Sequence, residues 1–220
     1  METSRLARVA PLTGIAFLVL SLAGVVIMGE SPDFAAKPDE FVAFYADEKA
    51  RIIFGAMVFN VGVFFLLWFL GSLASASRRA EGGDGRVSRL AYGGGLVGSA
   101  LLLAGMSINL LAGLRVDENG ALSDDVAVVY GDLSTTFGFI GGPIGFAVLL
   151  AGVAVVNART PFLPGWLTWV TGLLAIGLFE PFASWAFVLA LPVWVAIVGS
   201  LLFMQGDGLE LGSRSEAETA

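Results

Sequence analysis

Apolar residues in this chain gather into long blocks instead of alternating with polar ones. The blocks fall at about 11–29, 51–73, 90–114, 132–156, 165–179 and 183–204. Most have the length that an α-helix rising 1.5 Å per residue needs to cross a hydrocarbon core of ~30 Å. Period-two alternation, the mark of a barrel strand, is missing, and in lipid only helices or closed barrels satisfy their own backbone. The pattern predicts an all-α, polytopic membrane helical bundle of about six transmembrane helices. A head at 1–10 precedes it, and a polar tail at 205–220 reads as disordered. The first block exceeds the roughly 7–15 apolar residues of a signal-peptide core. Its nearest small-x-small site, ending at Ala36, has bulky Phe34 in the small position, so a retained helix is expected.

Between the blocks, Pro38-Asp39-Glu40 is a helix start, with proline early and acids in the first turn. Phe41, Phe44 and Tyr45 follow at helical spacing and predict a short interfacial helix with its aromatic side toward the headgroups. The 75–89 loop holds Arg78, Arg79, Arg86 and Arg89 around a glycine-rich turn, and the 115–131 loop holds four acids.

Composition sharpens the class. The chain is 56% hydrophobic and 14% charged, against about 25% charged in soluble domains. Charge then sets orientation. Eight of the twelve basic residues lie on one side: Arg5, Arg8, the four loop arginines, Arg159 and Arg214. Basic residues in short loops stay cytoplasmic, so both termini are expected inside. The net charge of −7 comes mostly from two loops and the tail, and no basic stripe points to nucleic acid. Cysteine and histidine are both missing. That removes disulfides, thiolate chemistry, the commonest metal ligand and the usual general base near neutral pH. No cofactor or metal is expected.

Six residues stand out as candidates for a polar path or a packing site. Asn60 and Asn109 are amides inside the second and third spans, and each needs a hydrogen-bond partner in lipid. Antiparallel spans would let the two meet. Gly94, Gly98, Gly105, Asn109 and Gly113 share about 100° of helix arc. Such a stripe of small residues is expected to be a packing face. Asp132 and Glu180 are the acids nearest the hydrocarbon, Asp132 as a first-turn acid of the fourth span and Glu180 at a tight turn before Pro181. They could pair with Arg51 or Arg115. Gly142 and Pro143 lie in the run Gly138-Phe-Ile-Gly-Gly-Pro-Ile-Gly145, which is expected to kink or break the fourth span. Broken helices at the midplane bind substrates in transporters, although this one has no intramembrane charge beside it.

The layout resembles six-span membrane proteins of actinobacteria, similar to the DUF4386 family of unknown function. The likeness rests on Pro11-Leu-Thr-Gly14, on Phe44-Tyr45-Ala-Asp47-Glu-Lys-Ala-Arg51 and on Leu163-Pro-Gly-Trp166-Leu-Thr-Trp169. It implies a topology, and a place in the plasma membrane of a bacterium, and carries no activity. Three classes of function stay open. A structural or accessory protein, binding a protein partner or a second copy through small-residue faces, is favoured. A small transporter or channel lined by spans two, three and four comes next, and a membrane-embedded enzyme acting on lipid last. No constellation of catalytic residues supports the enzyme.

Overall fold

A computed structural model describes residues 9–33, 35–179 and 184–218. After a short 3-10 turn, Ala10–Leu12, come α1 (Thr13–Met28), α2 (Pro38–Asp47), α3 (Lys49–Glu81) and α4 (Arg86–Asn119). Then follow α5 (Asp124–Thr135), a π-helical turn (Thr136–Gly141), α6 (Gly142–Arg159), α7 (Gly165–Phe179) and α8 (Ser184–Glu218). The protein is an all-α helical bundle. Five stretches are long and apolar enough to cross a membrane: Ala10–Met28, Lys49–Glu81, Arg86–Asn119, Asp124–Arg159 and Val188–Gln205. The 15 residues of α7 are apolar but shorter.

The spans pack in chain order. α1 lies on α3, α3 on α4, α4 on α6, α6 on α7 and α7 on α8, and α8 closes the ring against α1. The outer surface is apolar: Trp169 is 83% exposed and Ile176 72%. A soluble protein does not present such a belt to water, so this face is a lipid face.

Glycine sets the closest contacts. A Cβ at Gly55 would lie 2.7 Å from the Gly24 carbonyl, and one at Gly24 would lie 2.8 Å from the Gly55 carbonyl. α1 and α3 therefore cross backbone to backbone. On α4, a Cβ at Gly94 would meet the Gly145 carbonyl at 2.8 Å or closer. At Gly98 it would meet the Phe146 ring at 2.9 Å, and at Gly105 the Ser134 carbonyl at 2.9 Å. Gly113 turns instead to Ile53 of α3. The stripe on α4 thus serves three neighbours, α3, α5 and α6, and dispersion across close backbones holds the contacts where lipid supplies no hydrophobic drive.

Several boundaries differ from the sequence pattern. The 115–131 loop shrinks to 120–123, because α4 runs on to Asn119 and α5 begins at Asp124 after extended Ser123. Asp132 is therefore no first-turn acid; Asp124 and Asp125 hold those positions. The 75–89 loop shrinks to a turn at 82–85, where Gly82, Gly83 and Gly85 take φ of 68°, 53° and 60°. Left-handed backbone of this kind suits glycine. Glu81 caps the helix beyond that turn. Its carboxylate accepts from the backbone N–H of Val87 (2.9 Å) and Ser88 (2.7 Å) and from the Ser88 hydroxyl (2.6 Å). The Ser88 hydroxyl, then these backbone donors, hold the Glu81 carboxyl below its ordinary range. At the far end, α8 continues as helix from Gln205 to Glu218 where a disordered tail was expected. The stretch contains no proline, and adding residues to an existing helix costs far less than nucleating one.

Candidate functional site

Three polar groups of the core, from Tyr45, Asn109 and Ser134, converge where α2, α4 and α5 meet. The Tyr45 hydroxyl of α2 donates to Oδ1 of Asn109 on α4 at 3.0 Å. Nδ2 of Asn109 donates to Oγ of Ser134 on α5 at 2.7 Å. Tyr45 is 1% exposed, and burial, with Tyr130 as a lesser cause, pushes its hydroxyl far above the usual tyrosine range. Tyr45 stays protonated, so the direction of the chain is fixed.

This arrangement changes the role of α2. Proline at its first turn and the bond from Lys37 N–H to Glu40 (3.3 Å) start the helix as its sequence suggests. Its aromatic side, however, points into the bundle, with Phe41 and Tyr45 both buried. The reason lies on α5: Gly131 has no Cβ, and the Phe41 ring occupies the space a Cβ would take. The motif that looked interfacial is a wedge between helices.

Asn60 does not join this chain. Its Oδ1 is buried without a hydrogen-bond partner, one of two such side-chain atoms among the described residues, with Ser77 Oγ. The expected meeting of the two amides fails because Tyr45 and Ser134 reach Asn109 from elements outside the second span. Asp132 lies two residues before Ser134, half-buried, and makes no ion pair among the described residues. Arg51 is engaged elsewhere. It donates to the Ile27 carbonyl at 2.9 Å and pairs with Glu48 at 2.9 Å, closing the C-terminus of α1 where a cation is favoured. Glu180 lies outside the described residues.

Gly142 and Pro143 do not break the fourth span. Proline cannot donate to the fourth carbonyl before it, and its ring crowds that carbonyl. The chain widens here by one residue per turn: the Gly142 N–H bonds the Phe137 carbonyl, and the helix continues. Both residues are buried in the bundle, with Gly142 against α4. Beside this turn is a cleft of about 80 Å³ walled by Met106, Phe139, Pro143, Phe146, Leu191 and Pro192. Ser21 also lines it, but its hydroxyl is spent on the Leu18 carbonyl of its own helix. A buried water needs two to four polar partners, and these walls do not offer them.

Asn157 escaped the sequence reading. Its Oδ1 accepts from the N–H of Phe162 (2.9 Å) and Leu163 (2.7 Å), and its Nδ2 donates to Thr168 (2.7 Å). It clamps the turn between α6 and α7. Trp194 was missed too; its indole N–H donates to Thr171 at 2.8 Å and its ring meets Phe69 edge-on. Asparagine near a proline-containing turn was the available signal for the first; nothing local marked the second.

No group of three or more His, Cys, Asp or Glu placed to hold a metal occurs among the described residues. No family model, curated protein or solved structure matches the chain. Fold and lipid-facing surface together define the class: an integral membrane protein built as an α-helical bundle.

Proposed function

We propose that the chain is a structural or accessory protein of the bacterial plasma membrane, with both termini cytoplasmic, that works by holding a protein partner or a second copy of itself. The observation that carries this reading is the closed chain Tyr45–Asn109–Ser134, whose embedded amide is satisfied within the bundle. The dry cleft beside the π-helical turn supports it further. The small-residue stripe of α4 is consumed by internal contacts. The outward stripe Gly165, Trp169, Gly172 and Ile176 on α7 remains; a Cβ at Gly165 or Gly172 would meet open space. The resemblance in layout to DUF4386-like proteins belongs to this reading, on the residues that suggested it.

The chain contains no cysteine, so single cysteines are clean probes. A cysteine at Gly172 should cross-link to a second copy or a partner in native membranes, while one at exposed Asp84 should not. Impermeant maleimide should label cysteines at Asp47 and Asn119 in intact cells, and at Asp84 only after lysis. A Gly172 cysteine that never cross-links, in a protein that purifies as a lone monomer, contradicts the partner role; reversed labelling contradicts the orientation.

Transport through spans two, three and four is the second reading. The unpartnered Oδ1 of Asn60 and the π-helical turn favour it, since π turns recur at functional sites.

A further inference from the structure

An open groove of about 1060 Å³ runs down the outside of α3 at its arginine-rich end. Leu67, Trp68 and Gly71 form its deep part with Leu202 of α8 opposite, and Ser75 and Arg79 form its mouth. The depth can be placed on the membrane. Leu67 lies six residues before the end of the apolar block at 73, and Arg79 six residues after it. At 1.5 Å per residue the groove therefore extends about 9 Å into hydrocarbon and about 9 Å into the headgroup layer.

The chemistry changes along the same line. The deep wall is apolar and narrow in side chain: a Cβ added at Gly71 meets nothing within 4 Å. The Ser75 hydroxyl donates to the Gly71 carbonyl at 2.9 Å and has no donor left. Arg79 is exposed and makes no side-chain hydrogen bond or ion pair among the described residues. Its guanidinium offers a planar fork of donors suited to phosphate. Gln205 holds the far wall by donating to the Phe162 carbonyl at 2.8 Å.

We propose that this groove binds one anionic phospholipid, its acyl chain along Leu67, Trp68 and Gly71 and its phosphate on Arg79. The charge at the mouth and the apolar depth behind it fit that one molecule at both ends. A water-soluble anion would leave the apolar wall uncovered. The site stands apart from the Tyr45–Asn109–Ser134 chain and does not rest on the accessory reading.

Native mass spectrometry of the full chain in mild detergent tests the proposal. Phosphatidylglycerol and phosphatidylcholine with the same acyl chains would be added at matched concentration. Phosphatidylglycerol should give the more abundant single adduct. Arg79→Gln should cut that excess about fivefold, the worth of one interfacial cation. Gly71→Trp should reduce adducts of both lipids, and its thermal midpoint in detergent should stay near that of the parent because the added ring enters open space. Equal adducts of the two lipids on the parent chain would overturn the proposal. So would a phosphatidylglycerol excess that survives both substitutions. A groove filled by residues 1–8 of the same chain, or by a second copy, would also overturn it: the parent would show no lipid adduct, or a dimer that Gly71→Trp dissociates.

Discussion

Gly98 and Gly145 meet so closely that a Cβ on Gly145 would fall on the backbone nitrogen of Gly98. The Gly94 carbonyl would be 2.8 Å away on the same side. Backbone cannot swing aside as a flexible side chain can. Gly145→Ala should therefore force α4 and α6 apart and cost about 1–3 kcal/mol, read as a lowered midpoint of thermal unfolding in detergent. Gly93→Ala, where an added Cβ meets nothing within 4 Å, should be neutral or slightly stabilising. Equal effects at the two sites would mean that the α4–α6 contact is looser than described.

The Tyr45–Asn109 bond yields a second expectation. Tyr45→Phe keeps the wedge and removes the donor, leaving Asn109 Oδ1 buried and unpaired. The cost should be about 1–2 kcal/mol. Ser134→Ala should act in the same chain, so the double variant should be less destabilised than the sum of the singles. Strict additivity in a chemical denaturation cycle would show that the two bonds are independent.

Tyr45 also sets an alkaline limit. Its folded pKa is raised above the unfolded value near 10. Between those values the folded state holds a proton that the unfolded state has lost, so stability falls as pH climbs. The contribution is intact below about pH 10 and lost progressively above it. Tyr45→Phe should flatten that alkaline decline in a series of thermal midpoints; an unchanged slope would place the titration elsewhere.

Glu81 behaves in the opposite sense. Its carboxylate is held below the ordinary range by Ser88 and Val87, so its contribution is present above the unfolded value near 4.3 and lost as pH falls through the lower folded value. Glu81→Gln should weaken the parent's loss of stability on acidification and shorten hydrogen-exchange protection at Val87 and Ser88. An acid limb identical to the parent's would refute the cap.

Asn157 tests the turn between α6 and α7. Asn157→Ala removes three hydrogen bonds and leaves two backbone N–H groups seeking partners. About 2–4 kcal/mol should be lost, with proteolysis appearing at 160–164. Resistance there equal to the parent's would show that Pro161 and Pro164 suffice to hold the turn.

The helices and their membrane character were legible because hydropathy is a property of each segment alone. Gly94, Gly98 and Gly105 were legible as a contact for the same reason: their periodicity lies within one helix. What escaped depends on the neighbour. Asn109 needed a partner, but whether Asn60, Tyr45 or Ser134 supplied it depends on how α2 seats, and that turns on a missing Cβ at Gly131. Phe41 and Tyr45 form an amphipathic face that suits headgroups and a helix cleft equally well. The run at Gly142 and Pro143 signalled an irregular helix, yet a break and a widened turn use the same residues and differ only in where the freed N–H groups bond. The crossing of Gly24 and Gly55 left no comparable stripe on α1, where the glycines are ten residues apart.

Whether water reaches the bundle core separates an accessory bundle from a path for solute. Single cysteines at Asn60 and Asn109 would be challenged with a small, water-soluble maleimide in sealed membranes, with denatured samples as controls. Both should remain unlabelled until denaturation, Asn109 because Tyr45 and Ser134 hold its amide inside the bundle and Asn60 because its side-chain oxygen is buried. Rapid labelling of both in the native membrane would mean a hydrated passage between α3 and α4, and would contradict the closed core on which the accessory reading stands.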